Sequence, residues 1–188
     1  MKVYFTASAR GVSNHLDKYK LIFSAIEKNG NQNLDKLILE IDGRTLYNGE
    51  YEDQVNLYER TTDLIKKADV VILEVSVPSL SMGFVVHKAL EMSKSVILLY
   101  QSGFKPFFAQ GIDNDKLQVV EYNEENLEEG LKSALDYAQE QSDVRFNFFI
   151  SPAIGHYLDW VAKNKKIPRS VYLRNLIEKD MANNEDYQ

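Results

Sequence analysis

The chain has 188 residues and no cysteine, which excludes disulfides, thiolate metal sites and cysteine nucleophiles. Hydrophobic residues make up 44% and charged residues 27%, the balance of a globular protein with a full core. The formal charge of −6 is uneven: residues 144–188 hold seven Lys or Arg against five Asp or Glu, so the acidity sits in residues 1–143.

Val3-Tyr4-Phe5 reads as a first strand, and Thr6-Ala7-Ser8-Ala9-Arg10-Gly11 follows it with hydroxyls, a guanidinium and a glycine. Leu16, Tyr19, Ile22, Phe23 and Ile26 recur at helical spacing from about Asn14 to Lys28, and Asn29-Gly30 is a helix stop. Leu37 to Ile41 reads as the second strand, broken by Asp42-Gly43, and residues 43–51 as a polar loop able to cover a pocket mouth. Glu52 to Ala68 reads as a helix.

The stretch from Ala68 to Ala89 organises the rest. Val70 to Leu73 is a β-branched apolar run suited to a strand covered on both faces. Glu74 ends it, Pro78-Ser79-Leu80-Ser81 turns the chain, and a helix is expected from about Gly83. A strand that delivers a carboxylate and a Ser/Gly turn to a helix N-terminus is where open α/β sheets bind anions. Glu74 is equally readable as a strand-end acid that caps backbone N–H groups. Val96–Tyr100 and Leu117–Tyr122 complete a set of five strands, with a Phe-rich loop between them (Phe104, Phe107, Phe108) and an acidic helix at 124–141. Strands alternating with helices imply right-handed crossovers and a parallel sheet: an α/β, doubly wound, Rossmann- or flavodoxin-like domain over residues 1–141.

The grammar changes at residue 142. Val144 to Ser151 alternates as a strand, with Arg145, Asn147 and Phe149 on one face. Pro152 can open a helix carrying Ile154, Tyr157, Leu158, Val161 and Ala162 on one stripe, and a second helix begins near Arg169. A lone strand leaves a ladder unpaired, so residues 142–188 predict a homodimer formed by pairing with the same strand of a second copy. His15, His87 and His156 have no acid or second His at ligand spacing; no metal and no cofactor are expected. No apolar run reaches membrane length, so a cytoplasmic chain without a membrane partner is expected.

Two resemblances sharpen this. Residues 144–182 resemble a ribbon-helix-helix domain through the alternating strand, Ser151-Pro152, the Lys-rich turn and Ile167-Pro168-Arg169-Ser170. That likeness implies DNA as a partner, with Arg145, Asn147 and Phe149 toward base edges and Arg169 and Ser170 on a phosphate; a module that only dimerises is the alternative. Residues 1–140 resemble the nucleoside 2-deoxyribosyltransferase family, in its deoxynucleoside 5′-monophosphate N-glycosidase branch. The likeness is carried by Tyr4 to Gly11 and by Ala68-Asp69-Val70-Val71, Glu74-Val75-Ser76, Pro78-Ser79-Leu80 and Gly83-Phe84. It implies a deoxynucleotide pocket with Ser79, Ser81 and Gly83 on the phosphate turn and Ser8, Arg10 and Gly11 lining the rest.

The family's two acids fall here at Val85 and Thr61, neither of which can attack or stabilise an anomeric carbon. The reading that follows is a pseudoenzyme: a nucleotide-sensing domain coupled to a DNA-binding dimer, a ligand-responsive transcription regulator. The alternative is an N-glycosidase or deoxyribosyltransferase using a displaced carboxylate, for which Glu74 and Glu59 are the candidates.

Overall fold

In the computed structural model the described residues are 1–41, 48–140 and 148–184. The chain divides into two compact units, Met1–Asp143 and Val144–Gln188.

In the first unit five parallel strands form one sheet: β1 (Lys2–Ala7), β2 (Gln32–Asn33), β3 (Val70–Glu74), β4 (Ser95–Gln101) and β5 (Leu117–Tyr122), in the order β2-β1-β3-β4-β5. The register sets Phe5 beside Ile72 and Ile72 beside Ile97. The alternation of side chains divides the interior in two. Val3, Phe5, Ile72, Ile97 and Leu99 face α1 (Val12–Lys28) and α5 (Leu127–Glu140), against Tyr19, Ile22, Ile26, Leu131 and Leu135. Tyr4, Val71, Leu73, Val96 and Leu98 face α3 (Tyr51–Lys67) and α4 (Leu80–Glu91), against Ile65, Val85, Val86 and Ala89. The expected doubly wound α/β sheet is therefore present, with β1 and β3 at its centre. Order reverses between them, and the gap beyond their C-terminal ends is where such sheets open a crevice.

Three expectations change. Leu37 to Ile41 is not a strand: Leu37–Glu40 is a four-residue helix, α2, and the sheet's edge is the two-residue β2. Asp35 explains the switch, because its Oδ1 accepts from Lys36 N–H (2.9 Å) and Leu37 N–H (3.3 Å) and turns the chain. The apolar run is still buried, Ile38 within the core and Leu39 and Ile41 packed on it; a short apolar run suits either element. The helix expected from Gly83 begins one turn earlier, at Leu80. The acidic helix starts at Leu127 rather than Glu124, since the Asn123 side chain accepts from Glu125 N–H and Asn126 N–H and holds a turn.

The second unit contains α6 (Pro152–Lys165) and α7 (Arg169–Asn183). Ser151 caps α6 by accepting from Ile154 N–H, Pro152 occupies its first turn, and Lys166 leaves it in the left-handed region at φ 57°. The helices are held by hydroxyl contact between Tyr157 and Tyr172 (3.1 Å) and by an ion pair of Arg169 with Asp159. Of the expected strand at 144–151, residues 144–147, with Arg145 and Asn147, lie outside the described residues. Phe148 to Ile150 has no strand geometry and is exposed.

Candidate functional site

A cavity of about 600 Å³ opens beyond the C-terminal ends of the central strands, on the α3/α4 side. Its floor is the end of β1, from Tyr4 to Ala7, with Ala9 beyond it. One wall is Asp35, Leu37, Ile38 and Ile41; another is the inner face of α3, with Gln54, Leu57, Tyr58 and Thr61; the last is the start of α4, from Ser79 through Met82 with Phe84 and Val85. The volume lies within the ordinary range for a small-molecule site, and the lining is mostly apolar with a few polar groups.

Two features give the cavity its chemistry. The first turn of α4 faces it, and the Ser79 side chain makes no capping hydrogen bond to that turn. The N–H groups of a first helical turn lack intrahelical acceptors and carry the positive end of the helix dipole, so an anion is favoured there. Asp35 is the second. Its side chain is 8% exposed, and Oδ1 accepts from the Arg60 guanidinium at 2.6 Å as well as from the two backbone N–H groups. Tyr4 lies alongside, its phenol raised by burial and partly brought back by the hydroxyls of Thr6 and Thr61. Tyr58 and Phe84 form an aromatic pair at the rim, centroids 5.6 Å apart.

Ser79 and Ser81, expected on the phosphate turn, both line the cavity, and Gly83 sits in the same helix between lining residues Met82 and Phe84. Ser8, Arg10 and Gly11 do not line it, although Ala7 and Ala9 do. Gly11 is close-packed: a Cβ there would stand 2.2 Å from the Tyr19 hydroxyl. Glu59 is exposed on α3 and outside the lining.

Glu74 is fully buried and turned to the other face of the sheet. Its Oε1 accepts from the Ser76 N–H (3.2 Å), from the Ser76 hydroxyl and from the Tyr122 hydroxyl (3.3 Å). The Ser76 hydroxyl oxygen in turn accepts from Gln101 N–H (2.9 Å), so the carboxyl binds the ends of β3, β4 and β5 together. Burial raises the Glu74 carboxyl above the usual carboxylate range. Thr61 and Val85, where the resemblance expects acids, both face the α3/α4 cavity.

Asp35 was not foreseen. With the second strand read at 37–41 it preceded a strand; with β2 at 32–33 it follows one, where open sheets place functional groups. Asn33-Leu34-Asp35-Lys36, a turn-forming cluster ahead of the apolar run, is the signal that could have found it.

Among the described residues no group of three or more His, Asp or Glu could hold a metal ion, and no helix is long and apolar enough to cross a membrane.

No family model matches the chain. Two relatives do. A 5-hydroxymethyl-dUMP N-hydrolase of Tetraodon nigroviridis is 30% identical over 140 residues, which cover 70% of this chain and 95% of that protein. The 5-hydroxymethyl-dUMP N-hydrolase of Mus musculus is 31% identical over 133 residues, covering 67% and 75%. A solved structure, the Clostridium botulinum CMP N-glycosidase BcmB, aligns with 72% of this chain and 99% of its own at 18% identity and a TM-score of 0.43. These relatives are named for catalysis. They overturn the expectation of a pseudoenzyme acting as a DNA-binding transcription regulator. One carboxylate, that of Asp35, does line the cavity; in the second unit Arg169 pairs with Asp159 and Phe149 is fully exposed.

Proposed function

Because the chain belongs to the 2′-deoxynucleoside 5′-phosphate N-hydrolase family, we propose that it hydrolyses the N-glycosidic bond of a deoxynucleoside 5′-monophosphate in the α3/α4 cavity. The observation that carries this reading is the presence in one cavity of an uncapped helix N-terminus and a fixed carboxylate, the two groups such a substrate needs at its two ends. The 5′-phosphate is held by the first-turn N–H groups of α4 with the hydroxyls of Ser79 and Ser81. The base lies against Tyr58 and Phe84, and the sugar is left over the end of β1 near the carboxylate. When the C1′–N bond breaks, positive charge develops at C1′, and a nearby carboxylate stabilises it.

The test is direct. The full chain incubated with 5-hydroxymethyl-dUMP and with the four ordinary deoxynucleoside monophosphates should release free base, read by chromatography, and should act at least about tenfold more slowly on the matching nucleosides lacking phosphate. No free base from any of them would sink the reading.

For Val144–Gln188 we infer self-association of the ribbon-helix-helix kind. Val171, Leu176, Ile177 and Met181 on α7 are exposed, an apolar set that a second copy would cover. The full chain should sediment as a dimer, and Leu176→Asp with Ile177→Asp should weaken that dimer about tenfold or more; a monomeric wild type removes the idea.

A further inference from the structure

Thr61 and Val85 bring no charge to the cavity, and among the described residues Asp35 is the one Asp or Glu that lines it. The two oxygens of that carboxylate are not equivalent. Oδ1 is committed, taking Lys36 N–H, Leu37 N–H and the Arg60 guanidinium. Oδ2 takes no hydrogen bond among the described residues. Three donors on one oxygen fix the rotamer of a carboxylate that lines the cavity.

Resting on the hydrolase reading above, we infer that Asp35 is the catalytic carboxylate, acting through Oδ2 as general base toward a water that adds to C1′. In the step, the C1′–N bond breaks and its electron pair leaves with the base nitrogen. The water oxygen bonds to C1′ as its proton passes to Oδ2, and Asp35 returns that proton to the departed base. The products are the free base and 2-deoxyribose 5-phosphate, and no group besides water is consumed. The acid thus arrives from the end of β2, on the opposite wall from α4, where the resemblance placed it. Arg60 is a positioning residue that holds Oδ1.

The experiment uses the full chain and the deoxynucleoside monophosphate that the wild type cleaves. Asp35→Asn should lower kcat about a hundredfold or more while KM stays within about threefold, and the fall of kcat on the acid side of the wild-type pH profile should disappear with it. Asp35→Glu, which keeps the charge but shifts the oxygens, should lose about tenfold in kcat and retain the acid limb. A purely structural Asp35 would not move the pH profile. If Asp35→Asn is folded and turns over at the wild-type rate, the assignment is overturned and the hydrolase reading stands. If that variant does not fold, a wild-type kcat in Asp35→Glu overturns it instead. A wild type that releases no base removes both.

Discussion

Ser81→Asp should separate fold from function, raising KM for a deoxynucleoside monophosphate at least about tenfold, or ~1.4 kcal/mol, while leaving the thermal midpoint unchanged or higher. Ser81 is exposed in the first turn of α4 and lines the cavity. An acid in that turn is favourable to the helix by about 0.3–1 kcal/mol, because it complements the positive end of the dipole. The same carboxylate occupies the place of the substrate's phosphate and repels it. Stability and affinity therefore move in opposite directions. Steady-state kinetics beside a thermal melt check this, and an unchanged KM would mean that the phosphate does not sit on this turn. The nucleoside lacking phosphate supplies the control, since its KM should hardly respond.

Glu74→Ala should cost about 2–4 kcal/mol of unfolding free energy, because it strands the buried Ser76 and Tyr122 donors. Glu74→Gln keeps an oxygen for those donors and should cost far less. The two wild-type protonation states also differ. Burial raises the Glu74 carboxyl above its ordinary value of 4.5, so the folded protein holds that proton more tightly than the unfolded chain does. Stability linked to the proton is complete below pH 4.5 and is lost as pH climbs through the raised folded value. Glutamine has no proton to lose, so the Gln variant should gain on the wild type as pH rises across that window. Denaturant melts at pH 4 and pH 7.5 measure the difference; a gain for Gln at the lower pH would contradict the burial argument.

Much of the scaffold was legible because its signals are dense. Val70 to Leu73 is β-branched and continuous, which fits a strand covered on both faces, and all four residues are buried. Tyr19, Ile22 and Ile26 recur at helical spacing and reach the core. The Pro78-Ser79-Leu80-Ser81 turn led to the helix whose N-terminus faces the cavity, and Thr61 and Val85 were placed correctly enough for both to line it. What was not legible came from side chains acting on the backbone. Leu37-Ile38-Leu39 carries as much strand propensity as helix propensity, and the single Asp35 carboxylate decides between them by taking two N–H groups. Periodicity contains no record of that bond. Missing it hid the one Asp or Glu that lines the cavity among the described residues. Glu74 was open to two readings, and the strand-end cap is the one found: its Oε1 accepts from the Ser76 N–H (3.2 Å), and the two-residue alternation of β3 turns it to the face of Val70 and Ile72, away from the cavity.

The brevity of β2 has a consequence for how such a site can diverge. Strand pairing with β1 covers Gln32 and Asn33, and Leu34 N–H makes the last backbone bond to it, to Val3 O (2.9 Å), so among the described residues the ladder's spacing constraint ends one residue before Asp35. An insertion or deletion of one residue between 33 and 37 would slide the carboxylate by about 3.3–3.6 Å, with every pairing among the central strands unaltered. Groups anchored in β3 have no such latitude, since a one-residue slip there turns each side chain to the opposite face. Reach toward the anomeric carbon can therefore be retuned by indels at this flank, with the scaffold as a constant background.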